Sequence, residues 1–382
     1  MRRLLPLLCG LLLAACGQRA ARPIGDFTLP VYTPRYASGF EITGAAGSRS
    51  TLVTVHNPWY GDEVTDQYLF IARDGEPAPA GFEGQVLRDE ARRVVCMSGS
   101  YIAMLDALGA ADRVVGVSGA QYLINETLRR RIARGEAADV GFDSNVDFER
   151  LMALRPDLVM LFGIGGADTA LTGKLRELGI PYLYMGEHCE ESPLGKSEWV
   201  VVAAEIAGLR TEGSRLFAAI PERYERLRAL AQQTAARPRV MLNTPYRDTW
   251  FMPARNSYMV RLLEDAGARY VFEENTATQT LPIDIEQAYY LTSKSDFWLN
   301  VSGCNTLDEV RRQNPRLADT PPVREGRVYD NNRRRNAAGG SDFWESGVLR
   351  PDRVLADLVH IFHPELSETD ELYYLSLIHI SE

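Results

Sequence analysis

Guanidinium and aromatic side chains fall together at several places in this sequence. Tyr246 and Arg247 precede Trp250, Arg255 stands three positions before Tyr258, and Tyr329 precedes the run Arg333 to Arg335. Forked donors beside aromatic rings suit a large, partly apolar, anionic ligand. Arg247 is the strongest of these candidates, because a solvated surface would not need an aromatic on each side. The Arg333 run is more ordinarily a solvated face, and Trp344, within Ser341–Gly347, serves equally as a cleft lining or as part of a helix cap. His188 beside Cys189 offers ligand types for a metal or haem, but a lone pair of this kind is ordinarily structural.

Catalytic sets are missing. The sequence contains no Gly-x-Ser-x-Gly elbow, Walker loop or His-Glu-x-x-His helix, and Gly163-Ile164-Gly165 lacks the third glycine of a dinucleotide fingerprint. The histidines are dispersed. We therefore expect a binding protein with no catalytic residue, no metal site and no cofactor of its own. The formal charge of −9 argues against a nucleic-acid surface. Only three lysines occur, so the abundance of arginine is a compositional bias and proves nothing about anion binding. Cys96, Cys189 and Cys304 are too few and too scattered for a disulfide framework or a zinc knuckle, and read as buried thiols.

The elements that would position these residues are written twice. Arg93-Val-Val-Cys-Met97 is a short apolar strand, followed by the helical pattern Ser100 to Ala110 that stops at Gly109. Roughly 140 residues later, Arg239-Val-Met-Leu-Asn243 is again a strand, followed by Ser257 to Ala268 with its stop at Gly267. Val146-Asp-Phe-Glu149 leads into the strand Asp157–Leu161, and Ile283-Asp-Ile-Glu286 leads into Asp296–Asn300. Strands alternating with helices in two copies imply an α/β fold of two similar Rossmann-like lobes with mainly parallel sheets, residues 91–190 and 236–374. Residues 191–235 form a long helical linker, and the texture of residues 23–90 predicts a small β-rich N-terminal extension. Ligands of open α/β sheets sit beyond the carboxyl ends of the strands. That selects Ser98, Ser100, Tyr101 and Tyr122 in the first lobe, and Tyr246, Arg247, Trp250, Arg255, Tyr258, Arg333 and Trp344 in the second.

The ends of the chain carry separate signals. Arg2 and Arg3, the apolar run Leu4–Leu13 and Leu13-Ala-Ala-Cys16 define a signal peptide over residues 1–15, too short to span a bilayer permanently. The last four of these residues resemble a lipobox, which makes Cys16 the lipidated first residue, with palmitate among its acyl chains, and 16–22 a tether. Residues 375–382, Leu-Ser-Leu-Ile-His-Ile-Ser-Glu, resemble a translated sequencing adapter and are expected to be dispensable.

Lipobox, duplicated lobe and helical linker together resemble the helical-backbone (class III) substrate-binding lipoproteins of ABC importers for iron complexes and cobalamin. The most specific stretches are Leu108–Val117, Val146–Val159 and Leu178-Gly-Ile-Pro181. The resemblance implies a monomer in the cell envelope, lipid-anchored and facing the periplasm. It would capture a small-molecule metal complex, a ferric siderophore first and cobalamin or haem as alternatives, for an ABC permease and its ATPase. It also implies that Glu149 and Glu286, equivalent in the two copies, dock on the permease. A chelatase-like enzyme and a purely structural lipoprotein are the readings from other classes.

Overall fold

The computed structural model describes residues 21–378, apart from 61–63, 164–165, 167–168, 247–248, 278 and 368–370. The signal peptide, Cys16 and Arg247 therefore lie outside the described residues. Among those described, no helix is long and apolar enough to cross a membrane.

The extension is a five-stranded sheet in chain order: β1 (Leu29–Tyr32), β2 (Phe40–Gly44), β3 (Thr51–His56), β4 (Asp66–Ala72) and β5 (Gln85–Arg88). Its pairings are antiparallel except β4 with β5. In β2, Phe40 and Ile42 are buried while Glu41 between them is exposed, the period of a half-covered strand.

The first lobe holds β6 (Val94–Cys96), β7 (Val114–Val117), β8 (Ala138–Asp139), β9 (Leu158–Phe162) and β10 (Tyr182–Met185). They pair in parallel in the order β10-β9-β6-β7-β8. Every residue of β6, β7 and β10 is buried, as a sheet covered on both faces requires. The second lobe holds β11 (Arg239–Leu242), β12 (Pro245–Tyr246), β13 (Thr249–Met252), β14 (Arg269–Tyr270), β15 (Leu281–Ile283), β16 (Phe297–Leu299), β17 (Val328–Asp330) and β18 (Ser376–Leu377). Its main sheet runs β14-β11-β16-β17-β18, and β12, β13 and β15 form a separate antiparallel sheet.

The duplication extends to single hydrogen bonds. Asp157 Oδ2 accepts from the amide of Arg93 at 2.8 Å, and Asp296 Oδ2 accepts from that of Arg239 at 2.7 Å. Asp147 and Asp284 each cap a helix by accepting from the amide three residues on, that of Arg150 and of Gln287. Gly109 and Gly267 close equivalent helices with φ of 72° and 81°, where a Cβ would be strained.

The helical linker consists of four short helices, Pro193–Glu198, Val200–Ile206, Arg210–Ala218 and Ile220–Ala231, with Pro221 in the first turn of the last of them. Residues 375–378 belong to the fold: β18 pairs with β17, Leu375 and Ile378 are buried, and the Asp357 carboxylate accepts from the amides of Tyr373, Tyr374 and Leu375.

The end of the first lobe and the linker also hold the extension, through buried acids. Glu198 is fully buried and accepts from the Tyr32 hydroxyl (2.7 Å) and from the amides of Arg35, Tyr36 and Ala37 (2.8, 2.7 and 2.7 Å). Glu190 accepts from the amides of Ser38 and Gly39 and from Trp199 Nε1. Glu205 accepts from the Thr51 hydroxyl and pairs with Arg73 and Arg210. Burial pushes the Glu205 carboxyl up, but hydrogen bonds from Arg210 and Thr51 and the two guanidinium charges hold it below its ordinary value.

A buried charge is tolerable only when fully hydrogen-bonded. Glu198→Ala strands one hydroxyl and three amides at once. It is expected to cost about 3 kcal/mol or more and to open the chain ahead of residue 90 to limited proteolysis. Melting and protease resistance equal to wild type would show that the extension is held by other contacts.

Candidate ligand-binding cleft

Strand order reverses between β6 and β9 in the first lobe and between β11 and β16 in the second, which marks the crevice of each. Beyond β11 and β16, Asn243 and Asn300 adopt left-handed backbone with φ of 66° and 62°. Asparagine tolerates this conformation better than most side chains, and it turns the chain sharply at each strand end. Asn243 is fixed further by donating from Nδ2 to the Phe251 carbonyl at 2.9 Å.

The second lobe meets both the first lobe and the linker. In the lobe-to-lobe contact, the loop after β17 lies on residues 119–125. Glu345 accepts from the amides of Ile124 (2.9 Å) and Asn125 (2.6 Å), and Asn336 Nδ2 donates to the carbonyls of Gln121 and Leu123 (3.0 and 3.1 Å). Gly340 makes this approach possible, since a Cβ there would stand 1.7 Å from the Tyr122 carbonyl oxygen. On the linker, Glu191 accepts from Asn256, and Lys196 lies over the Tyr258 ring, 4.7 Å from its centroid.

These contacts reassign part of the expected site. Tyr101 is fully buried with its hydroxyl on the Leu161 carbonyl, and Trp250 is buried, stacked on Trp298, with Nε1 donating to the Leu242 carbonyl. Both are core residues, because a satisfied aromatic with no exposed face has nothing to offer a ligand. Ser98 caps the helix Gly99–Ala107, and Ser100 is buried with its hydroxyl donating to Glu187 at 2.9 Å. Tyr258 is half-buried against Lys196, Arg255 pairs with Glu264 at 2.5 Å, and Arg333 stands 3.7 Å from Glu371.

Tyr122, Tyr246 and Trp344 remain open, with 46, 66 and 49 % of their surface exposed, in the segments that follow β7, β11 and β17, Tyr246 within β12. The Tyr122 hydroxyl makes no hydrogen bond among the described residues, and its ring lies 6.3 Å from that of Phe142. The sequence reading passed over Phe142 and took Arg335 only as part of the arginine run. Phe142 is a lone aromatic in the turn-rich stretch Gly141–Asn145. In the arginine run, Arg334 pairs with Asp342 and lies over Tyr373, whereas Arg335 has no ion pair among the described residues. Glu345, which closes the lobes, was equally missed; only its place beside Trp344 pointed to it.

His188 is held rather than free. Its ring lies 4.3 Å from that of Phe162, and Nε2–H donates to the Gly163 carbonyl at 2.8 Å. Burial pulls its pKa down, but Cys189 and Glu187 beside it raise it to about 9. Burial lowers the pKa of Lys196 despite the nearby Glu187. No cluster of three metal-ligating side chains occurs among the described residues. Cys96 and Cys304 are buried free thiols and Cys189 is half-buried.

Open volume does not mark the crevice. A cavity of about 750 Å³ lies between the extension and β10, lined by Tyr68, Phe82, Arg176 and Tyr182 among others, and one of about 400 Å³ lies beside Arg73 and Glu205. Neither borders a point of strand-order reversal. The strand ends, where open aromatics collect, are therefore the better guide to the site.

Two mainly parallel-sheet lobes joined by a helical linker are the architecture of the solute-binding proteins that serve ABC transporters. Residues 94–333 match the periplasmic binding protein family, and the chain belongs to that family; it is a substrate-binding protein and not an enzyme. It is 25 % identical over 332 residues to an uncharacterized lipoprotein of Methanocaldococcus jannaschii, covering 81 % of this chain and 77 % of the relative. A second lipoprotein of that organism is 22 % identical over 331 residues, covering 83 and 81 %. Among solved structures, a periplasmic heme-binding protein from Pseudomonas aeruginosa superimposes with a TM-score of 0.57 at 20 % identity, covering 75 % of this chain and 97 % of that one. The periplasmic heme-binding protein RhuT from Roseiflexus, in apo form, gives 0.56 at 21 % identity, covering 72 and 100 %. At these identities the two structures share the fold.

The closing contact is pH-sensitive. Burial raises the Glu345 carboxyl to about 7, against the lowering effect of the Ile124 and Asn125 amides and with help from Asp342 and Asp106. Between its unfolded value and about 7 the folded state keeps a proton that the unfolded chain releases. This contribution is full at low pH and is lost as pH rises through about 7, up to about 3 kcal/mol in all. Glu345→Gln, neutral throughout, should flatten the melting temperature between pH 5 and 8. An unchanged wild-type slope would place the titration elsewhere.

Proposed function

We propose that this protein is a lipid-anchored carrier, tethered through Cys16 on the periplasmic face of the cell envelope. It captures an iron complex between its lobes as a monomer and presents it to an ABC permease and its ATPase. The observation that carries the reading is the set of open aromatics beyond the strand ends, Tyr122, Phe142, Tyr246 and Trp344, together with an Arg335 that has no ion pair among the described residues. A ligand that brings its metal already chelated needs contact faces and a counter-charge, not a set of metal ligands.

A ferric siderophore is the leading ligand, since arginine suits the anionic oxygens of such a chelate. Haem is the second reading, favoured by the unengaged Tyr122 hydroxyl beside Phe142 and by the names of the haem-binding relatives in structure. Cobalamin is third. Absorption titration of purified protein with haem, a ferric hydroxamate complex and cobalamin tests this directly. A shifted metal-complex spectrum for one of them is expected, and failure of all three to bind would overturn the reading.

Docking would fall to Glu149 and Glu286, which sit in the first turns of the equivalent helices Phe148–Leu154 and Ile285–Ser293. Both are exposed. An exposed apolar side chain follows each by three positions, Met152 and Tyr289, so each lobe offers a carboxylate beside an apolar patch. Glu286 pairs with Arg316 at 2.7 Å, while Glu149 has no ion pair among the described residues. The C-terminal contact must therefore exchange one guanidinium for another. Rim charges govern encounter and orientation, and each exposed pair is worth only about 0–1 kcal/mol. The double change Glu149→Arg with Glu286→Arg should leave ligand affinity intact and abolish transport in reconstituted vesicles. Wild-type transport would refute docking by these residues, and lost ligand affinity would assign them to the cleft or the fold.

A further inference from the structure

We propose that the β extension builds one wall of the ligand cleft and that Tyr60 is a ligand contact, taking a flat aromatic or apolar face of the bound complex. The inference rests on the cleft reading above and adds to it a residue that lies ahead of the family match, which begins at Val94.

The loop that leaves β3 does not stay with its own sheet. Asn57 turns it with a φ of 45° and closes it on both sides, its amide donating to the Thr65 carbonyl and its Oδ1 accepting from the Thr65 amide. The following residues lie over the carboxyl ends of β9 and β10. Gly163 makes room for them, since a Cβ there would stand 2.6 Å from the Pro58 carbonyl oxygen, and Pro58 Cα comes into van der Waals range of Gly186. Trp59 packs edge-on against Tyr184 with centroids 5.3 Å apart. The Tyr60 hydroxyl donates to the His188 carbonyl at 2.7 Å, and its ring stands 5.9 Å from the His188 ring.

Tyr60 is tied at its hydroxyl and yet 63 % exposed. Fixing a side chain costs rotamer entropy, and an exposed ring recovers little of it by burial. The return is a rigid, amphipathic contact surface already in position for a ligand. The opposite lobe stands close to this end of the crevice, because Asn256 reaches Glu191, three residues beyond His188. One of the two Methanocaldococcus jannaschii lipoproteins aligns over 81 % of this chain, more than the part from residue 94 onward, so the similarity runs ahead of the family match.

The test is absorption titration of the full chain and two variants with haem, a ferric hydroxamate complex and cobalamin. Tyr60→Ala should weaken binding of whichever probe the wild type takes by about tenfold. Tyr60→Phe, which loses the tether but keeps the ring, should stay within about threefold, and this separates loss of the contact face from loss of loop anchorage. Melting temperatures of both variants should follow wild type. Equal affinity of Tyr60→Ala and wild type overturns the contact while leaving the carrier reading in place. A wild-type protein that binds none of the three overturns that reading and this one with it.

Discussion

Three buried carboxylates govern how this molecule is assembled. Glu190 ends the first lobe, Glu198 and Glu205 belong to the linker that follows, and each is buried. A carboxylate in that position has to find hydrogen-bond donors or be neutralised. The donors all come from outside the linker's own helices or from their ends: the backbone of residues 35–39, the Tyr32 and Thr51 hydroxyls, the Trp199 indole and the Arg73 and Arg210 guanidiniums. The extension is therefore fixed by directional bonds to the one part of the chain that also sets the distance between the lobes. Its orientation is consequently specified, where apolar packing alone would permit sliding.

That fixation has a consequence at the cleft. With β1 to β3 held on the linker, the loop beyond His56 has a defined place to go, over Gly163 and Gly186. The same linker carries Lys196, buried and facing Tyr258 of the second lobe. Across the crevice Glu345 and Asn336 reach the backbone of residues 121–125. Polar groups of the second lobe thus meet the linker on one side and satisfy the backbone of the first lobe on the other. Separating the lobes would require water to replace those bonds, an exchange that costs little net free energy. Lobe contact of this kind suits a protein that must bind and later release its cargo.

The duplicated architecture distributes the work unevenly. Both copies keep the strand-start aspartates, the helix caps and the glycine stops, which are requirements of the fold. They differ where function would differ. The first lobe receives the extension at its strand ends, whereas the second replaces part of its sheet with the antiparallel β12, β13 and β15. Glu149 stands alone among the described residues while Glu286 carries Arg316.

The sequence by itself determined the repeat, because a parallel strand buried on both faces is a run of Val and Leu and a helix must stop at a residue that accepts positive φ. It determined the positions of Glu149 and Glu286 for the same reason: the aspartate before each helix is a local cap. Where side chains are shared between distant segments, only the tertiary structure decided. Tyr101 and Trp250 have the composition of binding residues, yet long-range packing puts them in the core and hands the rim to Phe142 and Arg335. Glu198 and Glu205 are visible in the sequence as acids seven apart in an apolar run, but their donors lie some 150 residues earlier in the chain. Tyr60 became a candidate only when the fold laid its loop across β9 and β10. Local pattern encodes the period of an element and its ends, while the partner of a buried polar group is set by which elements the fold brings together.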